Sequence, residues 1–432
     1  MTITFIGHGY VGLVTAAVFA DLGNKVWVIG HTPEKIENLK KGIIPIYEPG
    51  LEELVKRNVD AGRLLFTMDY APSVAESQVV FIAVGTPPMP TGEADLSVVF
   101  DVAKKVGENL DGYTVVITKS TVPIGTNRRV QSLINDVKSE KAEFDIASVP
   151  EFLREGQAIG DTQHPDRVVI GTNQKRAEEV LVELHQPIDG EIFLTSIETA
   201  EMIKYASNAF LATKISFANA IAQLSEKLGA HGPDVLEAMG MDRRIGKSFL
   251  NAGVGYGGSC FPKDVKALIA IAQENDYDFK LLKEVEETNK HATKQVVKKA
   301  QKMIGELSGL TVAVLGLSFK PDTDDMRDAP SLIIIDELLE KGAHIKTYDP
   351  IAMENAKRIL HGKDGIIFAE SALDAVTDAD LLIIVTEWNE FRQLNLTEVK
   401  KAMKQPRIID GRNVYDRDDV EELGFVYQGV GQ

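Results

Sequence analysis

The first 195 residues alternate short apolar runs with amphipathic stretches, and no other feature of the sequence constrains the fold as strongly. Short apolar runs between turn signals are typical of strands, and strands that alternate with helices indicate a parallel sheet covered on both faces. The strand-like runs are TITFIG, KVWVIG, QVVFIAVGT, TVVITKS, FDIASVP and RVVIGT, and helices are predicted over Leu96–Leu110 and Thr126–Val137. This part of the chain is therefore predicted to be an α/β domain.

A glycine-rich turn follows the first strand-like run directly. The segment FIGHGYVG places Gly7, Gly9 and Gly12 in the spacing Gly-x-Gly-x-x-Gly, between a strand and a helix. The first glycine permits the tight turn, the second lets the backbone approach a pyrophosphate, and the third lets helix pack on strand. The helix then turns unpaired N–H groups toward the anion. The turn predicts a Rossmann-like dinucleotide site.

The second strand-like run, KVWVIG, ends in Gly30, where an Asp or Glu would normally bind the adenosine ribose. In one interpretation the ribose of NAD is held by the backbone or by Thr32. In the other, the missing carboxylate admits the 2′-phosphate of NADP beside His31, Thr32 and Lys35. No arginine lies in this segment to clamp such a phosphate, which favours NAD, with NADP as the alternative.

The pattern changes to long helices between residues 196 and 307. Helical periodicity continues over residues 198–230, and further helices are predicted over Asp264–Asn275 and Leu281–Leu307. A second α/β unit follows, with the runs LTVAVLGLSF, HIKTYDP, DLLIIVT and PRIIDGR. The chain is predicted to hold two Rossmann-like, doubly wound α/β domains, 1–195 and 308–432, joined by a central helical region, 196–307.

The composition limits the partners of this 432-residue chain. Its net charge of −17 argues against a broad surface for nucleic acid or anionic membranes. A single cysteine precludes an intramolecular disulfide and fits a reducing compartment. Neither a signal peptide nor an apolar run of membrane-spanning length is apparent. We expect a soluble cytoplasmic protein with no nucleic-acid or membrane partner and no metal site.

The single cysteine lies in VGYGGSCFPKD, residues 254–264, whose glycines let the backbone approach a ligand closely. A lone cysteine is usually a small buried apolar residue. Alternatively, a cation such as Lys204 or Lys263 lowers the pKa of Cys260 and produces a thiolate. Asp264 is then a candidate base or water-positioning group. A nicotinamide cofactor with a nucleophilic cysteine suggests oxidation to an acid through a thiohemiacetal and a thioester.

Other polar residues are candidates for a ligand-binding or catalytic site only because of where they lie relative to the predicted strands and helices. Residues that follow strand-like runs either contact a ligand at the sheet edge or serve as helix caps and solvated surface groups. These residues are Thr86, Ser120, Thr121, Glu151 and Glu155. Lys204 and Asn208 stand four apart in the long helix and share one face. On a largely apolar face both side chains need partners, which favours a site, and the alternative is a lysine that faces the surface.

Seven motifs resemble, in their order, those of the UDP-glucose/GDP-mannose dehydrogenase family: GHGYVG, VGTPP, KSTVPIGT, VPEFLREG, GYGGSCFPKD, FKPDTDDMRDAPS and IDGRN. The likeness runs essentially from end to end. The cysteine motif is similar to the branch of UDP-glucose 6-dehydrogenases rather than to the GDP-mannose or UDP-N-acetylmannosamine branches. The resemblance implies four-electron oxidation of UDP-glucose to UDP-glucuronate with two NAD. The alternative is the same chemistry on GDP-mannose or a UDP-N-acetylhexosamine. The family usually has Asp where this chain has Gly30.

The resemblance also implies catalytic roles. Cys260 would be the nucleophile that carries the sugar as a thiohemiacetal and then a thioester. Lys204 would stabilise the developing oxyanion, and Asn208 would help to hold it. Asp264 would support Lys204 and orient water. The residues placed for water and proton transfers would be Thr121 and Glu151.

Binding roles follow from the same resemblance. Expected cofactor contacts are Gly7, Gly9, Tyr10, Val11, Gly12, Gly30, His31, Thr32, Lys35, Thr86, Thr121, Glu155, Lys263 and Arg327. Expected substrate contacts are Glu151, Phe152, Leu153, Lys204, Asn208, Arg244, Phe249, Tyr256, Gly257, Lys320 and Arg412. The loop MDRRIGKSF would donate Arg244 across the interface of a homodimer, or of a higher homo-oligomer, built on the long helix.

Overall fold

The computed structural model describes every residue from 1 to 432. The chain divides into two compact units, which are described separately below. The first unit contains residues 1–207 and 266–271, and the second contains residues 208–265 and 272–432. The division into segments 1–195, 196–307 and 308–432 stays a prediction from the sequence. None of the helices combines the length and the apolar character needed to cross a membrane.

The first unit is an eight-stranded sheet with helices on both faces, as the α/β prediction requires. Its strands stand in the order β3-β2-β1-β4-β5-β6-β7-β8. The elements are β1 (Thr2–Ile6), α1 (Tyr10–Asp21), β2 (Lys25–Ile29), α2 (Pro33–Lys40), α3 (Leu51–Asp60), β3 (Leu64–Thr67), α4 (Tyr70–Ala75), β4 (Val79–Ile82), α5 (Ser97–Asn109), β5 (Tyr113–Thr118), α6 (Thr126–Val137), β6 (Glu143–Ser148), α7 (Ala158–Gln163), β7 (Arg167–Gly171), α8 (Lys175–His185) and β8 (Glu191–Thr195).

The central strands of this sheet are buried on both sides, which explains their continuous apolar runs. Every residue of β4 is buried, and the ring of Phe5 in β1 stacks on that of Phe81 with 4.4 Å between ring centroids. Helices on both faces exclude water from such strands, so β4 reads as the continuous apolar run Val-Val-Phe-Ile. The apolar core thus fixes β1 and β4 as neighbours at the centre of the sheet.

The sheet departs from the predicted parallel arrangement between β6 and β7. These strands are antiparallel and pair only through Ser148 and Gly171, the last residue of each. The other neighbouring pairs of the sheet are parallel. Because β7 approaches from the side at which β6 ends, the connecting segment 149–166 does not have to cross the sheet. The segment that contains Glu151 therefore stays at the carboxyl edge.

The strand order reverses between β1 and β4, and this reversal locates the ligand-binding edge of the first sheet. In open α/β sheets, ligands bind outside the carboxyl ends of the strands at such a point. The strands end level there, because Ile6 pairs with Ile29 of β2 on one side and with Ile82 of β4 on the other. The segments that follow all three strands consequently begin at one edge.

The second unit combines long helices with a six-stranded sheet, in which all neighbouring strands are parallel. The strand order is β11-β10-β9-β12-β13-β14. Helices α9 and α11 carry residues of both units. The elements are α9 (Ile197–Leu228), α10 (Gly232–Gly240), α11 (Phe261–Glu274), α12 (Lys280–Ile304), β9 (Thr311–Leu315), α13 (Pro330–Glu340), β10 (His344–Tyr348), α14 (Met353–Ile359), β11 (Ile366–Phe368), α15 (Ala372–Val376), β12 (Leu381–Ile384), α16 (Asn389–Arg392), α17 (Leu396–Ala402), β13 (Arg407–Asp410), α18 (Arg417–Glu422) and β14 (Val426–Gln428).

Two predicted helices have different ends in the structure. The helix expected from Asp264 begins at Phe261, because Pro262 lies in the first turn, where its missing N–H is not needed. The helix expected to reach Leu307 ends at Ile304, because Gly305 adopts φ 91°, outside the helical region. The first difference matters for the site, since it makes Cys260 the residue that precedes α11.

Candidate active site

The turn between β1 and α1 has the shape that a dinucleotide requires. Gly7 has φ 118°, and a Cβ there would lie 2.3 Å from the carbonyl oxygen of Ala83. A Cβ on Gly12 would lie 2.2 Å from the carbonyl oxygen of Gly7. By contrast, a Cβ on Gly9, the N-cap of α1, would meet no atom within 4 Å. Gly7 and Gly12 are therefore packed tightly against the backbone, whereas the space next to Gly9 is open. This open space leaves room for a pyrophosphate at the helix N-terminus.

The other predicted cofactor residues of this edge surround the turn. Tyr10 and Val11 begin α1, and the Tyr10 hydroxyl donates a hydrogen bond to the carbonyl oxygen of Tyr47 (2.7 Å). The Gly7 N–H donates to the carbonyl oxygen of Ile29, so the turn is attached to the end of β2. The predicted residues that follow β2 are Gly30, His31, Thr32 and Lys35. The structure therefore brings the predicted residues of the β1–α1 turn and those that follow β2 to the same carboxyl edge of the first sheet.

The segments after β4 and β5 are joined at the same edge. The Thr86 hydroxyl donates to the carbonyl oxygen of Thr121 (3.0 Å), and the Ser120 hydroxyl donates to that of Val84 (2.6 Å). Neither hydroxyl caps its own helix, since each bonds across to the neighbouring segment. The contacts fix the two segments relative to each other at this edge of the sheet.

Glu151 and Lys204 form a buried ion pair in the first unit. The Lys204 Nζ lies 3.0 Å from Glu151 Oε1, and only 3% and 7% of these residues are exposed. Glu151 Oε2 accepts a hydrogen bond from the Leu153 N–H (2.6 Å). Burial raises the pKa of Glu151, but the charge and hydrogen bond of Lys204, the Leu153 N–H and the charge of Lys119 outweigh it and lower that pKa overall. Glu151 is thus held as a carboxylate.

A second lysine lies beside this pair and was not among the sequence candidates. Lys119 follows β5, is 8% exposed, and its Nζ donates to the carbonyl oxygen of Val149 (3.4 Å). Burial lowers its pKa to about 8; Glu151 opposes the shift and Lys204 adds to it. Two cations therefore share one buried carboxylate, in a site that favours added negative charge. The clue in the sequence was its position directly after a strand, within KSTVPIGT.

The remaining residues of VPEFLREG are held by aromatic and backbone contacts. The Phe152 ring lies 3.9 Å from the Arg167 guanidinium and 5.4 Å from the Lys204 Nζ, measured to the ring centroid. Glu155 is partly buried next to Gly156. The Glu48 carboxylate accepts hydrogen bonds from the N–H groups of Gly156 and Ala158 (2.6 and 2.7 Å) and so anchors the segment. Glu48 was missed because it lies 108 residues before Gly156.

The second unit holds the cysteine and its polar neighbours. Cys260 is the N-cap of α11, and its carbonyl oxygen accepts the first helical hydrogen bond, from the Asp264 N–H (2.9 Å). The Asp264 carboxylate, 1% exposed, accepts hydrogen bonds from Asn208 Nδ2 (2.6 Å) and Lys263 Nζ (2.5 Å). The structure therefore brings Asn208, Lys263 and Asp264 together one helical turn from Cys260.

The glycines before the cysteine permit close contacts that a side chain would prevent. A Cβ on Gly257 would lie 2.3 Å from the carbonyl oxygen of Asp328, and one on Gly258 would lie 2.8 Å from the Phe319 ring. The Tyr256 backbone is held on both sides by the Asn289 amide, at 2.8 and 3.0 Å. Asn289, which the sequence analysis also missed, makes this segment a fixed part of the second unit.

The predicted cations of the second unit have different environments. Arg412 is largely buried and donates to the carbonyl oxygen of Val385 (2.8 Å), with Glu387 Oε2 3.1 Å away. The Lys320 Nζ lies 5.6 Å from the centroid of the Phe319 ring, and Arg327 pairs with Asp325 at 2.7 Å. Arg244 is 89% exposed and bonds Asp242 within its own loop. Phe249, in the same loop region, has φ 64°, which is unusual for an aromatic residue.

Comparisons with known proteins cover nearly the whole chain. The model of the UDP-glucose/GDP-mannose dehydrogenase family, NAD binding domain, matches residues 1–189. The central-domain model of that family matches residues 198–291, and its UDP-binding-domain model matches residues 313–417.

Similar proteins match over all or nearly all of their length. The UDP-glucose 6-dehydrogenase TuaD of Bacillus subtilis is 47% identical over 430 residues, which span 100% of this chain and 93% of the relative. The UDP-glucose 6-dehydrogenase of Rhizobium meliloti is 47% identical over 439 residues, 100% of both chains.

Solved structures agree with the observed fold. A UDP-glucose dehydrogenase from Pyrobaculum islandicum superimposes with a TM-score of 0.93 at 38% identity, covering 99% of this chain and 97% of the other. The UDP-D-ManNAc dehydrogenase of Pyrococcus horikoshii gives a TM-score of 0.87 at 28% identity, covering 100% and 99%.

Proposed function

This chain belongs to the UDP-glucose/GDP-mannose dehydrogenase family and is an NAD-dependent oxidoreductase, and from that premise we propose that it oxidises C6 of UDP-glucose to give UDP-glucuronate. The observation that carries the choice of sugar is the difference in similarity among relatives. Identity to the UDP-glucose enzymes is clearly higher than identity to the solved UDP-N-acetylmannosamine enzyme. This difference supports glucose over an N-acetylated sugar.

The fit of the cofactor rests on the glycine turn of the first unit. The open space above Gly9 and the tight packing of Gly7 and Gly12 suit a bound dinucleotide pyrophosphate. NAD, when bound, supplies a hydride acceptor, and oxidation of an alcohol to a carboxylate uses two such molecules. The proposed cofactor contacts are Tyr10, Val11, Gly30, His31, Thr32, Lys35, Thr86, Thr121 and Glu155 in the first unit, and Lys263 and Arg327 in the second.

Cys260 is the proposed nucleophile. Its sulfur adds to the C6 aldehyde to give a thiohemiacetal, and oxidation of that adduct leaves the sugar attached as a thioester. Water then cleaves the C6–S bond, which yields the carboxylate and returns the thiol. The position before α11 suits this role, since the N-terminus of a helix favours negative charge. The fixed Asp264–Asn208 hydrogen bond gives the attacking water an oriented polar neighbour.

Lys204 and Glu151 are the proposed charge-stabilising and proton-transfer groups. The ion pair with Glu151 holds the Lys204 ammonium in a fixed position, and burial protects its charge from screening by solvent. Such a group stabilises an oxyanion more effectively than an exposed lysine does. Glu151 is held as a carboxylate and is ready to accept a proton from water, with Thr121 as its proposed hydroxyl partner.

The proposed substrate contacts supply what a diphosphate and a uracil ring require. Three cations, Arg244, Lys320 and Arg412, offset the diphosphate charge in an otherwise acidic chain. Aromatic and apolar side chains pack against sugar and base, while a glycine permits close backbone approach. These residues are Phe152, Leu153, Phe249, Tyr256 and Gly257.

The test of this function is an assay of purified protein with NAD and a panel of UDP-glucose, GDP-mannose, UDP-N-acetylglucosamine and UDP-N-acetylmannosamine. We expect two NADH for each UDP-glucose consumed, with UDP-glucuronate as the product. One NADH per sugar would indicate a single oxidation and contradict the proposal. A higher kcat/KM for another nucleotide sugar would contradict the choice of substrate.

We also propose that a second copy of the chain packs on α9. Phe210, Phe217 and Leu224 recur every seven residues along this helix, followed by Leu228, and they are 65%, 50%, 51% and 73% exposed. A stripe with this spacing is typical of a helix that pairs with another helix. Exposed apolar residues in such a row are unfavourable in water unless a partner covers them. The dimer would let Arg244 reach the site of the partner subunit.

Phe217→Glu is expected to convert the dimer to a monomer, because the carboxylate would be desolvated in the middle of the apolar stripe. The measurement is size-exclusion chromatography with light scattering. Ile333→Glu, which changes another exposed apolar residue on α13, is the matched control and should stay dimeric. A dimeric Phe217→Glu variant would remove α9 from the interface.

A further inference from the structure

Three basic side chains surround Gly30 at the end of β2, and we call His8, His31 and Lys35 the basic cluster. His8 lies in the glycine turn and is 8% exposed, and its ring centroid is 5.5 Å from that of His31. Burial, followed by the charges of His31 and Lys35, lowers the pKa of His8. Groups from the β1–α1 turn and from the segment after β2 therefore meet at one point of the nucleotide-binding edge.

The space for a ribose-binding carboxylate is occupied at this point. A Cβ on Gly30 would lie 2.5 Å from Ile36 Cδ1 and 3.2 Å from His8 Nδ1. An Asp or Glu here normally binds the ribose 2′-hydroxyl and repels a 2′-phosphate. In this chain the backbone lies against Ile36 and His8 instead, so no carboxylate stands at this position to repel a 2′-phosphate.

The segment after β2 also offers neutral donors for an anion. Thr32 is the N-cap of α2, but its side chain makes no capping hydrogen bond, so the hydroxyl is available to a ligand. The acidic residues of this segment oppose an anion only weakly. Glu34 is exposed, and Glu37 is paired with Lys40 at 2.8 Å. A phosphate beside Thr32 would thus meet a hydroxyl, the Lys35 ammonium and the imidazole groups of His31 and His8.

We propose that this chain accepts NADP as well as NAD, and that Thr32 and the basic cluster bind the 2′-phosphate on the adenosine ribose. His31 and Lys35 are the direct contacts, and His8 lies on the side of the site that the glycine turn forms. The proposal rests on the cofactor site of the proposed function, but it concerns the adenosine end alone and does not depend on the sugar chemistry.

Binding of adenosine 2′,5′-bisphosphate and of 5′-AMP, measured by calorimetry, tests the proposal without turnover. UDP is kept saturating in both titrations, so that the substrate site does not contribute. The bisphosphate is expected to bind about 10-fold or more tightly than 5′-AMP, because it adds charge-assisted contacts. Lys35→Gln should lower the bisphosphate affinity about 10-fold and leave that of 5′-AMP unchanged. Lys40→Gln, the same charge change at the other end of α2, should alter neither. Equal binding of the two nucleotides, or equal losses in Lys35→Gln, would overturn the proposal.

Restoring the acid gives a second measurement. Gly30→Asp is combined with Ile36→Val, because valine lacks the Cδ1 atom that the new Cβ would meet. With Ile36→Val alone as the control, the double variant should lose bisphosphate binding, and its kcat/KM should fall much more with NADP than with NAD. An unchanged NADP-to-NAD ratio of kcat/KM would count against the proposal. In the unaltered chain, tight bisphosphate binding without turnover with either cofactor would contradict the proposed function and leave the 2′-phosphate site standing.

Discussion

Replacing Cys260 by serine is expected to lower the rate of UDP-glucuronate formation by about 10³-fold or more, while UDP-glucose still binds. A serine hydroxyl is a much weaker nucleophile than a thiol, and the shape of the segment before α11 is retained. The measurements are UDP-glucose affinity by calorimetry and acid product by chromatography. Intact mass of wild-type protein during a quenched reaction should show a fraction that carries the sugar nucleotide.

The mass measurement is unambiguous because the chain contains one cysteine. Cys260→Ala is the companion variant, since it removes the heteroatom altogether and should be as inactive as Cys260→Ser. A variant that forms acid at a nearly normal rate would eliminate the covalent mechanism. Product formation by wild-type protein without any adduct in the quenched sample would have the same meaning.

The sequence was sufficient to predict features that depend on neighbouring residues in the chain. The glycine turn is an example, because the contact of Gly12 with the carbonyl oxygen of Gly7 follows from a strand, a turn and a helix in succession. The apolar face of α9 likewise required partners for Lys204 and Asn208, and the structure provides Glu151 for the first and Asp264 for the second. Local periodicity and the chemistry of buried polar groups were the reasons in both cases.

Features that depend on distant pairings could not be predicted in this way. Lys119 lies near Glu151 because β5 and β6 are adjacent and parallel. The sequences of these two strands do not indicate that they are neighbours in the sheet. The reversed direction of β7 has the same origin, since its run reads as an ordinary buried strand. Glu48 anchors Gly156 from far away in the chain. Each of these contacts is a consequence of topology rather than of local composition.

Lys204→Ala is expected to lower kcat by about 10²–10³-fold, an increase in the barrier of about 3–4 kcal/mol, if its ammonium stabilises the oxyanion. The KM for UDP-glucose should change much less, because the charge on the C6 oxygen develops only along the reaction. Steady-state kinetics measure both values. Lys227→Ala, an exposed lysine of the same helix, is the matched control and should behave as wild type.

The buried pair permits a further distinction, because removal of Lys204 also takes away the nearest cation of Glu151. A double-mutant cycle with Glu151→Gln separates the two effects. If Lys204 acts on the oxyanion, Lys204→Ala should lower kcat by a similar factor in the Glu151→Gln background. If it only holds the Glu151 carboxylate, the second change should have almost no effect there. That outcome would make Lys204 a positioning residue, and Lys119, the other cation beside Glu151, would then become the candidate for charge stabilisation.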